Sequence, residues 1–284
     1  MIDIWYGLAD YLLPHDLARY VFMKNALLAV LLVTPVFGVL GTMVVSNRMA
    51  FFTEVLGHSA LTGIGIGVLL GISDPTLPMI AIAVALAFLV NLLKDMTHSS
   101  MDTVMGVFLA FMVALGITIL SRQGGVVKFT TYLIGDILAV TPAQIAWLAV
   151  LFIIVFVYWY FAGNALILTS VSGSLARSRM IRTFFVETSF TILLAVVVMV
   201  SIRLVGILII NSLLVLPAAA ARNAARSISS YTVLSICISV FSGICGLFAS
   251  YYLGTASGAT IVLFSVACYG VSALAGLHRR KAFM

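Results

Sequence analysis

The sequence predicts an all-α fold, a polytopic bundle of about eight or nine transmembrane helices. Three observations carry that expectation. Hydrophobic residues make up 63% of the chain and charged ones only 8%, with a mean hydropathy of +1.23. Apolar runs long enough to cross a bilayer, which takes about 20 residues each, follow one another along its length. No polar segment is large enough for a soluble domain, so residues 1–284 read as a single transmembrane domain.

The first 19 residues carry Asp3, Asp10 and Asp16 where a cleavable signal would be basic, and they read as an interfacial segment. Apolar runs and their breakers then place spans at roughly 22–45, 50–72, 76–93, 103–121, 143–162, 183–202, 204–221, 230–252 and 257–276. The seventh is short, follows Arg203 directly and contains Asn211 and Pro217, which suits a helix that is broken or displaced from lipid. The stretch 122–142, "RQGGVVKFTTYLIGDILAVTP", contains glycines that argue against a simple span. From Gly163 to Arg182 the chain is too polar after Leu168 to cross, and it reads either as a contact surface or as a plain connecting loop.

Charge supplies the orientation. With the tail "HRRKAFM" on the cytoplasmic side, alternation places Arg48, Lys94, Arg177, Arg179, Arg182, Arg222, Arg226, Arg279, Arg280 and Lys281 inside, and Arg19, Lys24, Arg122, Lys128 and Arg203 outside. That is ten of the 15 basic residues inside, the sense of the positive-inside rule. The net charge of +6 and pI near 9.4 thus reflect topology rather than nucleic-acid binding. Cys237, Cys245 and Cys268 fit neither a CxxC site nor a disulfide framework and read as small buried hydrophobes.

Only two glutamates exist, Glu54 and Glu187, and Glu54 sits just inside a span with His58 four residues on. Positions i and i+4 share a helix face, so carboxylate and imidazole converge on one point. The pair is half of a site for a borderline or hard divalent ion such as Zn, Mn or Fe(II), and the absence of thiolate argues against Cu(I). Two donors do not saturate an ion that needs four to six, so the rest must come from water, other helices or a second subunit. The alternatives are a proton-handling pair, or a hydrogen-bonded pair that seals helix packing. Gly57, Gly63, Gly65 and Gly67, with Ala60, let neighbouring backbones approach this helix. His15, His98 and His278 lie near span boundaries without acidic neighbours at helical spacing and read as interfacial, and Asn211 and Ser212 read as packing groups. There is no GxxxxGK[ST], nucleophile elbow or HExxH, so energy must come from a partner or an ion gradient.

Three ordered stretches resemble one family. "SNRMAFFTEVLGHSALTGIGIG" is similar to the signature "RRMALxGDALSHAxLPGxALG", "YLIGDILAVTPAQI" to "LFGxILAVS", and "IRLVGILIINSLLVLPAAAARNAARS" to "VGxLLVSALLxxPAATARLLA". These belong to the membrane permease subunits of bacterial ABC importers for manganese, zinc or iron. The resemblance covers nearly the whole chain. It implies a multi-pass protein of the cytoplasmic membrane that is not itself an enzyme. It implies a transported divalent metal and no resident cofactor. It also implies partnership with cytoplasmic ATPase subunits, an extracytoplasmic metal-binding protein and a second permease subunit, identical or different. Glu54 and His58 fall where the family's metal-carrying Asp and His stand, and residues 169–180 fall on the coupling helix that meets the ATPase, with Leu175, Ala176 and Arg177 keeping its pattern. Four departures stand out: Glu54 for Asp, Thr62 for proline, Ser172 and Gly173 for an acidic pair, and Met180 for glycine. The rival expectations are a proton-coupled secondary metal transporter, a permease for a metal chelate, and a membrane scaffold without transport.

Overall fold

The computed structural model describes residues 7, 19–72, 74–97, 100–121 and 137–281, with the side chains at 203, 204, 207, 208 and 277–281 left aside. Ten α-helices and one 3-10 turn occupy these residues, and no strand occurs among them. The helices are α1 Val21–Ser46, α2 Ala50–Leu69, α3 Thr76–Thr97, α4 Met101–Ser121, α5 Pro142–Val171, α6 Gly173–Ser178, α7 Thr183–Val205, α8 Ile207–Ala224, α9 Ile228–Leu253 and α10 Ser257–Lys281; the 3-10 turn is Ile137–Ala139. Eight helices are long and apolar enough to cross a membrane, and the shorter Ile209–Ala224 stretch of α8 falls below that length. The expected interfacial segment, apart from Gly7 and Arg19, and the loop over 122–136 lie outside the described residues.

Local chemistry sets the helix ends. Gln144 Oε1 accepts from the Thr141 backbone N–H at 2.8 Å and from its hydroxyl at 3.0 Å. With Pro142 at the first helical position, which has no N–H to satisfy, this starts α5. The Ser227 hydroxyl accepts from Ser230 N–H at the head of α9, and Gly254, at φ 61°, closes its tail. Gly206, at φ 89°, turns the chain between α7 and α8, a conformation a side chain would resist.

One expectation is corrected by α5. The polar interruption read from Gly163 onward is helical through Val171. A helix of 30 residues is about 45 Å long, well beyond the roughly 30 Å of a hydrocarbon core. Its last turns therefore have no need of apolar sequence, and Thr169 and Ser170 return their hydroxyls to the carbonyls of Leu166 and Ile167.

The chain divides into two compact units, drawn from Met1–Val39, Asp136–Ile154 and Leu204–Met284, and from Leu40–Gly135 and Val155–Arg203, in each case the described residues only. In the first unit, α8, α9 and α10 pack against one another. There α1 and α9 run antiparallel along a polar seam, Ser235 donating to the Gly38 carbonyl at 2.7 Å and Ser239 to the Thr34 carbonyl at 2.8 Å. The cysteines are not buried in this unit as expected. Cys237 is exposed and Cys245 and Cys268 are half-buried, Cys268 Sγ accepting from the buried Ser242 hydroxyl at 3.6 Å between α9 and α10; all three are free thiols.

In the second unit α2 packs against α3 and α4. The glycines of α2 are what permit the approach. A Cβ on Gly63 would stand 2.6 Å from Met79 Cα of α3, and one on Gly65 would stand 2.9 Å from Ile119 Cγ2 of α4. Gly63→Val is therefore expected to force α2 and α3 apart at a cost of about 1–3 kcal/mol, read as a lower thermal midpoint of the detergent-purified protein. Gly106→Ala on α4, where nothing lies within 4 Å of the new carbon, should hold or slightly raise that midpoint.

Candidate functional site

Between residues 51 and 65, burial along α2 leaves one open strip. Phe52, Val55, Leu56, Ser59, Ala60, Thr62 and Ile64 are buried, whereas Phe51, Glu54, His58 and Leu61 are open or half-open. The steps of three, four and three between the open residues follow the helical period, so they form one face. Glu54 and His58 occupy its middle, with Glu54 Oε1 3.4 Å from His58 Nε2 and side-chain exposures of 47% and 35%. At that separation they form a loose pair rather than a short hydrogen bond, and both donors reach the same point beside the helix. Phe51 and Leu61 bracket them with apolar surface.

The strip is closed further along the helix. Gly65 lies seven residues, two helical turns, beyond His58 and on the same face, and there α4 crosses with Ile119 against it. Just before the crossing, Thr62 donates its hydroxyl to the Met112 carbonyl of α4 at 2.8 Å. A threonine in the family's proline position thus supplies a tie to the neighbouring helix in place of a ring. The outcome is an open strip with two metal-competent donors at its centre and α4 packed against one end. Among the described residues no group of three or more His, Cys, Asp and Glu gathers at one point. The donor set offered here is two side chains.

The segment read as a coupling helix, 169–180, divides at Ser172. Residues 169–171 finish α5, and Gly173–Ser178 form the separate short helix α6. The Ser172 hydroxyl accepts from Leu175 N–H and caps α6, which gives the replacement of an acidic residue by serine a clear local role. The three residues keeping the family pattern then part company. Ala176 is fully buried and seats the helix, Leu175 is half-exposed, and Arg177 is exposed. Met180 follows at φ 58°, and the Ile181 N–H reaches the Ala176 carbonyl at 3.1 Å, a helix stop that ordinarily takes glycine. The remaining singled-out groups add nothing to the strip: Asn211 and Ser212 are half-buried on α8, and the side chains of His15, His98 and His278 lie outside the described set.

One interaction of the second unit escaped sequence reading. Lys94 Nζ lies 2.7 Å from Glu187 Oε2, joining α3 to α7 across 93 residues of sequence. Its only sequence signal is that the chain's second glutamate and a lysine both stand at helix ends assigned by charge to the same side. No helical spacing links them.

Residues 19–276 match the ABC 3 transport family. The chain is 32% identical over 248 residues to the high-affinity zinc uptake system membrane protein ZnuB of Haemophilus influenzae, covering 87% of this chain and 95% of that protein. It is 26% identical over 254 residues to the manganese import system permease protein ScaB of Streptococcus gordonii, covering 88% and 90%. Its fold is similar to PsaBC from Streptococcus pneumoniae, solved in complex with Fab, with a TM-score of 0.77 at 24% identity over 96% of this chain and 95% of that one.

Replacing Met180 by glycine is expected to relieve the left-handed backbone and stabilise the protein by about 1 kcal/mol, seen as a raised thermal midpoint. An unchanged midpoint would show that the conformation is held without strain.

Proposed function

Because the chain belongs to the ABC 3 transport family, we propose that it is the membrane permease subunit of an ATP-driven importer for a divalent transition metal, with zinc and manganese the first candidates. Membership makes it a multi-pass protein of the cytoplasmic membrane and a transport subunit rather than an enzyme. The observation that carries the metal reading is the open strip on α2, whose middle is a carboxylate and an imidazole. In so apolar a chain an ionisable pair at membrane depth is costly unless it is used.

The mechanism follows from the donors. A dication stripped of part of its water exchanges hydration for Glu54 oxygen and His58 nitrogen, a mixed set that accepts Zn, Mn and Fe(II) alike. Two ligands from one subunit leave the ion incompletely coordinated, and a second permease subunit across a two-fold axis would double the set. Incomplete coordination also keeps the ion releasable, which conduction requires as much as capture. The longer glutamate arm sets the oxygen one methylene farther from the helix than aspartate would. Energy enters from cytoplasmic ATPase subunits at α6 through the exposed Leu175 and Arg177, with Ala176 as the buried seat, and cargo arrives from an extracytoplasmic metal-binding protein.

Glu54→Ala and His58→Ala should each lower metal uptake by more than the roughly 10–100-fold that loss of an outer-shell partner costs, with the protein still present in the membrane at wild-type amount. Uptake of labelled zinc in cells, competed with manganese and iron, measures both the loss and the preference. Normal accumulation in both variants would defeat the site. Uptake by the chain alone in proteoliposomes under a pH gradient would instead establish a proton-coupled carrier.

A further inference from the structure

Within the second unit, a cleft of about 350 Å³ opens beneath α6, walled by Gly173 and Arg177 of α6, Lys94 and Asp95 of α3, and Thr183 and Glu187 of α7. A smaller hollow of about 50 Å³ touches Asn47 and Met49, the residues that lead into α2, and it too is lined by Lys94 and Glu187. The Lys94–Glu187 ion pair is therefore a wall common to both spaces. One side faces the short helix α6, and the other faces the turn five residues ahead of Glu54.

The wall is reinforced one turn away. The Asn91 amide, itself buried, donates to the Thr191 hydroxyl, so positions 91 and 94 of α3 meet 191 and 187 of α7 in antiparallel order. Both flanking segments end in an unusual backbone. Arg48, before α2, and Met180, after α6, are the positive-φ non-glycine residues among the described ones, at 56° and 58°. Each closes a helix whose following N–H reaches back five residues, Met49 to Val44 and Ile181 to Ala176. Both are left-handed helix stops of the common kind, with a side chain where glycine is usual. An ion pair with both partners more than a third exposed contributes little to stability, and what distinguishes this one is its place between the two spaces.

We propose that Lys94 and Glu187 are positioning residues that carry displacement of α6 across the cleft to the turn before α2, and so to the Glu54 and His58 strip. This rests on the transport reading given above. When α6 is pressed into the cleft, the paired ends of α3 and α7 move as one body, and the turn at Asn47–Met49 follows.

The test uses the full chain assembled with its ATPase and binding-protein partners in proteoliposomes, and reads ATP hydrolysed per zinc or manganese ion taken up. Lys94→Ala and Glu187→Ala should raise that ratio about five-fold, the scale of a modest coupling loss, and the exchanged pair Lys94→Glu with Glu187→Lys should bring it back towards wild type. A ratio unchanged in both single variants, whatever happens to protein amount, overturns the proposal, as does an exchange no better than the single changes. A metal-independent readout separates this from failure of the transport reading: spin labels at the exposed Ser174 of α6 and Phe51 of α2 should change separation on ATP binding in the otherwise unaltered chain and not in Lys94→Ala. A separation insensitive to ATP overturns the positioning role even where uptake is normal, and an ATP-dependent separation in a complex that moves no metal upholds the link while removing its cargo.

Discussion

The scarcity of water within a bilayer governs this chain more than any single contact. Backbone polar groups must be satisfied inside the segment that carries them, which leaves helices as the available element, and each polar side chain kept in a span must find a partner or a task. The polar groups sort accordingly. Ser235, Ser239, Thr62 and Asn91 are buried and spend their hydrogen bonds across helix contacts, on the Gly38 and Thr34 carbonyls, the Met112 carbonyl and the Thr191 hydroxyl. Glu54 and His58 stand apart, half-open on the uncovered strip of α2. Burial separates groups that hold the fold from groups that meet something outside it.

Much of the architecture was legible because hydropathy reads solvent directly. Apolar runs placed the first four spans within a few residues of their observed helices, and the seventh falls on α8, an 18-residue helix. Legibility failed where the solvent changes. Past Leu168 the sequence turns polar, yet α5 continues to Val171, since a helix beyond the hydrocarbon boundary needs only its own hydrogen bonds. The cysteines failed for a related reason: apolar context marks what prefers to avoid water, and it does not say how far neighbouring helices cover a given position. At the site, helical spacing gave Glu54 with His58 because they share one helix, but the same rule is silent on Lys94 with Glu187, whose meeting is decided by how α3 and α7 pack.

Two of the departures from the family pattern carry a local compensation. Losing a proline at position 62 gives up a fixed bend, and Thr62 returns a hydrogen bond to α4 at the point where the open strip ends. Losing an acidic residue before α6 gives up a charge near a helix start, and Ser172 returns a cap. Met180 compensates least, since it accepts a left-handed backbone that glycine would take freely. The segment proposed to meet the ATPase thus differs from the pattern in charge and backbone strain while keeping its helix, and the proposed metal pair differs by one methylene.

The two features of α2 that looked separate in sequence, its glycines and its Glu and His, have one geometric cause. Gly63 lies half a turn of azimuth away from Glu54, and its missing side chain lets Met79 of α3 sit against the helix. Gly65 shares the azimuth of the donors two turns on and lets α4 cross there. Between them these contacts fix the rotation of α2 about its axis. A slip of one residue turns a helix by about 100°, enough to swing the carboxylate from the open strip into the packed face beside Val55 and Leu56, where its charge would be uncompensated. Close packing on the far side is therefore part of the site. It keeps two donors aimed outward by denying the helix any other way to sit.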